Sequence, residues 1–282
     1  MNEENLSKLS IVKLCNPFVL LHFIKSYKSL IIQFSKREIL SRYRGSFLGI
    51  FWSFINPLIM LTVYTFVFSV VFKGKWGQTL SENKFEFAII LFCGLIAFNI
   101  FSETVNRAPS IIIGNVNYVK KVLFPLEILP ITILISSLIH ALISFVVLLL
   151  GLIIFMNTFT WQIILAPILL LPLIFFTLGF SWLLASLGVY IRDVGYTVSL
   201  ITTVLFYLTP IFYPISAVPD FFQTFMYLNP LTFVIENFRN AVIWGTFSDW
   251  SGLVITMIGS LLTLQFGFIW FIKTRKGFAD VL

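Results

Sequence analysis

Long apolar stretches separated by short polar punctuation occupy most of the 282 residues. Residues 46–72 carry no charged side chain, which exceeds the roughly 20 residues a helix needs to cross a bilayer. Applied along the chain, the same reading predicts crossings at 48–72, 87–106, 128–156, 163–190, 195–213 and 250–272. No charge stands between Glu127 and Arg192, too long for one crossing and right for two, with a polar turn at 157–162. Residues 216–246 fit no crossing: they are aromatic, carry Glu236 and Arg239, and are broken at Asn229-Pro230. Two short re-entrant helices are expected there, because irregular backbone at membrane depth must be buried in protein or line a wet cavity. Glu236 and Arg239, one turn apart, are able to pair.

Before the first crossing the period changes. Tyr27, Leu30, Ile31 and Phe34 form one helical stripe and Ile39, Leu40, Tyr43 and Phe47 a second on another face, predicting a helix that lies in the interface and bends near Ser35. Glu38 and Arg42 stand four apart in the favourable order, and Arg42 and Arg44 crowd the junction as cationic anchors. The expected architecture is an all-α polytopic membrane protein. It comprises a cytoplasmic N-terminus and amphipathic helix at 1–47, six transmembrane helices within 48–272, and a cytoplasmic tail at 273–282.

Composition agrees. A chain that is 59% hydrophobic with mean hydropathy +0.98 cannot be wrapped into a water-soluble core. The net charge of +7 does not indicate nucleic acid, because most basic residues flank apolar spans. With six crossings, fifteen of the 19 Lys and Arg fall on the side of both termini, so the termini are expected in the cytoplasm. No cleavable signal peptide is read at the start. Cys15 and Cys93 lie far apart in unlike segments and suggest neither a disulfide nor a metal site.

The chemistry is sparse. There is no G-x-x-x-x-G-K-[ST], H-E-x-x-H or G-x-S-x-G, so no nucleotide, zinc or hydrolase motif is present and no catalytic residue is assigned. His22 and His140 are isolated; His140 reads as a helix-packing hydrogen-bond partner, and Glu103 as interfacial or lining a polar path. Spans with so few ionisable groups argue against ion-coupled transport. The energy must come from elsewhere.

Three motifs in order carry a resemblance: RYRGSFLGIFWSFINPLIML from Arg42, NVNYVKKVLFPLEILPI from Asn115, and TPIFYPISAVPDFF followed by LNPLTFVIENFRNAV from Leu228. Essentially the whole chain after Tyr27 resembles permease subunits of ATP-binding-cassette exporters of cell-surface polysaccharide, the O-antigen type, related to the teichoic-acid and capsule exporters. Tyr196 departs from the His often found after the Arg-Asp pair. The resemblance implies a homodimer in the bacterial inner membrane, two cytoplasmic ATP-binding subunits that hold ATP and Mg, and a lipid-linked polysaccharide substrate. It also implies a coupling element between spans two and three, with Arg107, Asn115, Asn117, Lys120 and Lys121 as candidate contacts. A path lined by spans one and five follows too, with Trp52, Tyr64, Phe66, Phe206, Tyr207 and Tyr213 as candidate sugar-facing aromatics. Export of teichoic acid or capsular polysaccharide is the near alternative, and a glycan-modifying membrane enzyme the alternative of a different class.

Overall fold

The computed structural model describes residues 16–71, 84–120, 124–157, 160–246 and 249–282, and every regular element among them is helical. Helix α1 (Pro17–Ser26) starts where the Asn16 side chain accepts the Phe18 N–H at 3.0 Å and Pro17 fills the first turn, where its missing donor costs nothing. Helix α2 (Lys28–Arg42) follows across a single break at Tyr27 (φ −104°, ψ 15°). The bend thus falls at Tyr27 and not at Ser35, which is buried inside a continuous helix. The change of apolar face has another cause: α2 packs along membrane helix α6 and also reaches α4 (both below), so more than one side of it is in contact.

After α2 the chain turns through Gly45 (φ +83°) and Gly49 (φ +51°), left-handed positions that favour residues without Cβ. It then enters α3 (Trp52–Tyr64), continued by a wider helical turn over Thr65–Val71. Helix α4 (Lys84–Ile111) runs through Pro109 and is longer than the sequence pattern indicates. Arg107 therefore lies inside a membrane helix and not in a polar connector. The polar run misleads because Glu103 and Arg107, four residues apart, lie along one side of α4 and both find partners there. The connector itself is a tight turn and the short α5 (Val116–Val119).

Helices α6 (Ile128–Gly151, with its last turn at Leu152–Met156) and α7 (Ala166–Tyr190) form a pair of crossings. Helix α8 (Val194–Leu208) is shorter, and α9 (Asp220–Tyr227), α10 (Pro230–Arg239) and α11 (Trp250–Thr274) complete the membrane part before a terminal turn, α12 (Phe278–Val281). Asn229 accepts from Leu231 N and Asp249 from Gly252 N, which caps α10 and α11.

Among the described residues five stretches are long and apolar enough to cross a membrane: Gly49–Phe68, Phe85–Ile111, Ile128–Met156, Trp161–Tyr190 and Trp250–Val281. At 1.5 Å per residue α8 reaches about 22 Å, short of a hydrocarbon core of about 30 Å. It stops because Thr209 takes extended backbone before Pro210. Helix α4 is the centre, packed by α6, α7, α8 and α10. Helices α7 and α11 touch backbone to backbone through Gly179 and Gly267, and α7 meets Pro109 of α4 through Gly188. Small residues at such crossings let helices approach in a solvent where apolar surface alone gives no drive to associate.

Candidate functional site

At the α2 end of the bundle four charges interlock. Arg42 pairs with Glu103 at 2.6 Å, Arg107 pairs with Glu38, and a second Arg107 nitrogen stands 3.9 Å from Glu103. Sequence spacing offers Glu38 to Arg42 along one helix; the fold sends both across to α4. Individually such half-exposed pairs contribute at most about 1 kcal/mol. Together they fix the register of α2 against the central span. Tyr43 extends the contact to α6, its hydroxyl 3.2 Å from His140 Nδ1 with the two rings edge to face. His140 is thus a helix-packing partner. Arg44 is exposed on the turn that leads to span one.

The same helix holds the connector. The Tyr118 ring lies between Phe34 of α2 (5.4 Å, edge on) and Phe124 (4.4 Å, stacked), and Arg37 donates to its hydroxyl at 2.6 Å while lying within 6 Å of the Phe34 and Tyr118 rings. Of the coupling candidates, Asn115 turns inward and donates to Ile111 O at the end of α4, whereas Asn117 and Lys120 are exposed. Arg107 is separate from them, committed to Glu38. Lys121 lies outside the described residues. Tyr118, absent from the sequence-based set, is the residue that anchors the connector; its only signal was a tyrosine inside the second motif.

Among the candidate path aromatics, Phe206 packs on Tyr207 (5.3 Å), and the Tyr213 hydroxyl donates to Tyr207 O at 2.8 Å. Two unforeseen rings join span one to this group: Tyr64 reaches Phe68, and Phe68 meets Phe212, which touches Phe206 edge on and stacks on Tyr207. Phe66 is exposed and Trp52 half-buried, the latter some three turns back along α3. Tyr207 is also exposed.

On α10 Arg239 is buried and donates to Pro210 O at 2.9 Å and Ile211 O at 3.4 Å, in the stretch that follows the end of α8. Gly94 makes room for it: a Cβ there would come within 2.6 Å of the guanidinium. Glu236 is half-buried one turn earlier on α10. A further pair escaped the sequence reading. Glu127 is 1% exposed and accepts two bonds from Arg275, at 2.7 and 2.9 Å, tying the start of α6 to the end of α11. Trp182 Nε1 donates to the Glu127 carbonyl at 3.0 Å and brings α7 into the same knot. One charge at the edge of each of two distant spans gave no sequence signal that they meet.

The profile of the ABC-2 type transporter family matches residues 29–243, from the start of α2 to the turn after α10. The chain belongs to this family. The ABC-2 match therefore includes every contact just described except that of Arg275. An O-antigen export system permease protein RfbA of Myxococcus xanthus is 29% identical over 256 residues, covering 90% of this chain and 95% of its own length. A protein of the same name from Klebsiella pneumoniae is 26% identical over 255 residues at the same coverage. The polysialic acid transport protein KpsM of Escherichia coli is 26% identical over 252 residues, 85% of this chain and 91% of that one.

Proposed function

We propose that this chain is the membrane subunit of an ATP-driven exporter that moves lipid-linked, O-antigen-like polysaccharide from the cytoplasmic to the outer side of the bacterial inner membrane. The names of its relatives support that substrate class, and teichoic acid or capsular polysaccharide is the neighbouring reading. The observation that carries a mechanism is the clasp at α2. A partner pressing on the exposed Asn117 and Lys120 moves Tyr118, Tyr118 is gripped by Phe34 and Arg37, and farther along the same helix Glu38 and Arg42 are ion-paired to central α4. Coupling of this kind requires that the contact differ between two states of the bundle.

In this reading α8, with the turn that follows it, makes the sixth crossing, α9 and α10 dip into the outer leaflet and return, and both termini are cytoplasmic. Two copies associate, and each meets one ATP-binding subunit that holds ATP and Mg. The enzyme alternative lacks a supporting cluster of catalytic side chains in the motifs read above. The test is a gene deletion complemented in trans: surface polymer detected by glycan-specific antibody should vanish and return. The purified chain alone should hydrolyse no ATP. Undiminished surface polymer in the deletion strain overturns the reading.

A further inference from the structure

Beside the four-charge cluster a cleft of about 170 Å³ opens between spans one, two and three. Its volume is far above the roughly 10–15 Å³ of probe-occupied space that one water needs. Each helix gives it one coherent stripe. Residues 53, 56, 57, 60 and 64 share a face of α3, residues 92, 95, 99 and 103 a face of α4, and His140 and Ser144 a face of α6. From 92 to 103 the cleft runs about 16 Å along α4, on the order of half the hydrocarbon thickness.

Its chemistry is unlike that of the surrounding bundle. Asn56 and Asn99 are exposed to it at membrane depth, and among the described residues neither amide has a side-chain hydrogen-bond partner. His140 uses Nδ1 on Tyr43, and its Nε2 is buried without a partner. Polar groups left so in hydrocarbon cost free energy unless something hydrogen-bonds them. Tyr64 and Phe92 line the same walls with apolar ring surface. The adjoining charges, two carboxylates and two guanidiniums, are mutually paired. The cleft therefore offers no net charge to hold an anion or a metal ion, and too many amides and hydroxyls for a hydrocarbon chain.

A pyranose ring has the matching properties: neutral, hydroxyls around its rim, and C–H faces that lie on aromatic rings. We propose that this cleft is a sugar-binding site, taking one pyranose unit of the transported polymer on its way into the membrane. The proposal rests on the exporter reading above. It adds a location, distinct from the aromatic group around Tyr207, where a single sugar is held by Asn56 and Asn99.

The experiment uses the chain assembled with its ATP-binding partner in lipid nanodiscs. Saturation-transfer NMR is recorded with three probes: methyl α-mannopyranoside, methyl α-galactopyranoside and methyl N-acetyl-β-glucosaminide. At least one should receive saturation at its ring protons, with binding about tenfold weaker in the Asn56→Leu, Asn99→Leu double variant, which loses hydrogen bonds at constant volume. If that variant does not assemble, Asn99→Gln, which displaces the amide by one methylene, should weaken binding severalfold. No saturation of any probe, meaning a cleft that holds water only, overturns the proposal, as does equal saturation of wild type and variant. The two readings fail separately. Intact surface polymer in the deletion strain removes the exporter function, whereas lost polymer in that strain together with full export by Asn56→Leu, Asn99→Leu removes the sugar site alone.

Discussion

Spans one and two are similar in mean hydropathy, 1.7 and 2.1, yet 6% of the first is buried within the chain and 78% of the second. Apolar composition thus says that a helix enters the membrane, not what it meets there. Span two is surrounded by α6, α7, α8 and α10 and is positioned at its polar end by ion pairs to α2. Span one touches α4 and α6 along the cleft face and leaves the rest of its surface outside the chain. The buried span is the frame; the exposed one is the surface on which a frame can act. Substitutions should separate the two: those around span two should damage the folded chain, whereas those on the outer face of span one should leave the chain's own stability nearly unchanged.

The largest effect is expected where a charge is buried beside the frame. Glu127→Ala removes the carboxylate from Arg275 but keeps the carbonyl that Trp182 uses. Breaking a buried pair by removing one partner costs about 3–5 kcal/mol, so thermal unfolding of the detergent-solubilised chain should move sharply downward. The double change Glu127→Gln, Arg275→Gln should recover part of the loss. No shift in the single variant would mean that the pair is solvated in the membrane.

Next comes Gly188→Ala. Its Cβ would overlap the Pro109 backbone of α4, and backbone cannot step aside as a side chain does. Overpacking costs about 1–3 kcal/mol, readable as lower yield of monodisperse protein, while Gly195→Ala, with open space around it, should be neutral. A middle rank belongs to the clasp. Tyr118→Ala together with Arg37→Ala deletes an aromatic contact and a hydrogen bond, each about 1 kcal/mol. The chain should stay folded, but ATP turnover by the assembled exporter should no longer produce surface polymer. Retained export would place the partner's contact elsewhere.

The sequence made the apolar segments legible, because charge-free runs of 20 or more residues have few other uses, and it made the short aromatic helices before α11 legible through Pro219, Asn229 and Pro230. It also offered His140 as a packing partner. It did not reveal partners. Glu38 looked satisfied by Arg42 because spacing along one helix is visible and a neighbouring helix is not. Arg107 read as loop because polar residues after an apolar run usually end a span, whereas here they continue α4 toward α2. Lys28–Arg42 hid its contacts for the same reason: a helix clasped by two neighbours shows no single apolar stripe. The polar positions of the cleft, 56, 99, 140 and 144, sit in three separate segments and become one site only when the helices are packed.

The smallest change in chain stability, and the most direct test of the contrast between the two spans, is expected on span one. Phe54 and Leu58 lie on the side of α3 away from the cleft and are exposed. Facing lipid, truncating Phe54 and Leu58 to Ala should matter little, since lipid tails refill the space and apolar surface brings no drive to associate in that solvent; the unfolding free energy of the single chain should stay within about 0.5 kcal/mol. Facing a second copy, the same truncation removes the close packing that holds helices together in membranes, and the dimer fraction at fixed protein-to-lipid ratio should fall. A two-fold contact also brings a residue near its own twin. Leu58→Cys, placed in a background with Cys15→Ser and Cys93→Ser, should therefore form an oxidative crosslink between copies that the Phe54→Ala change weakens. If dimers persist unchanged in the Ala variant and the Leu58→Cys variant fails to crosslink, the exposed face of span one belongs to lipid, and the contact between copies lies on another face.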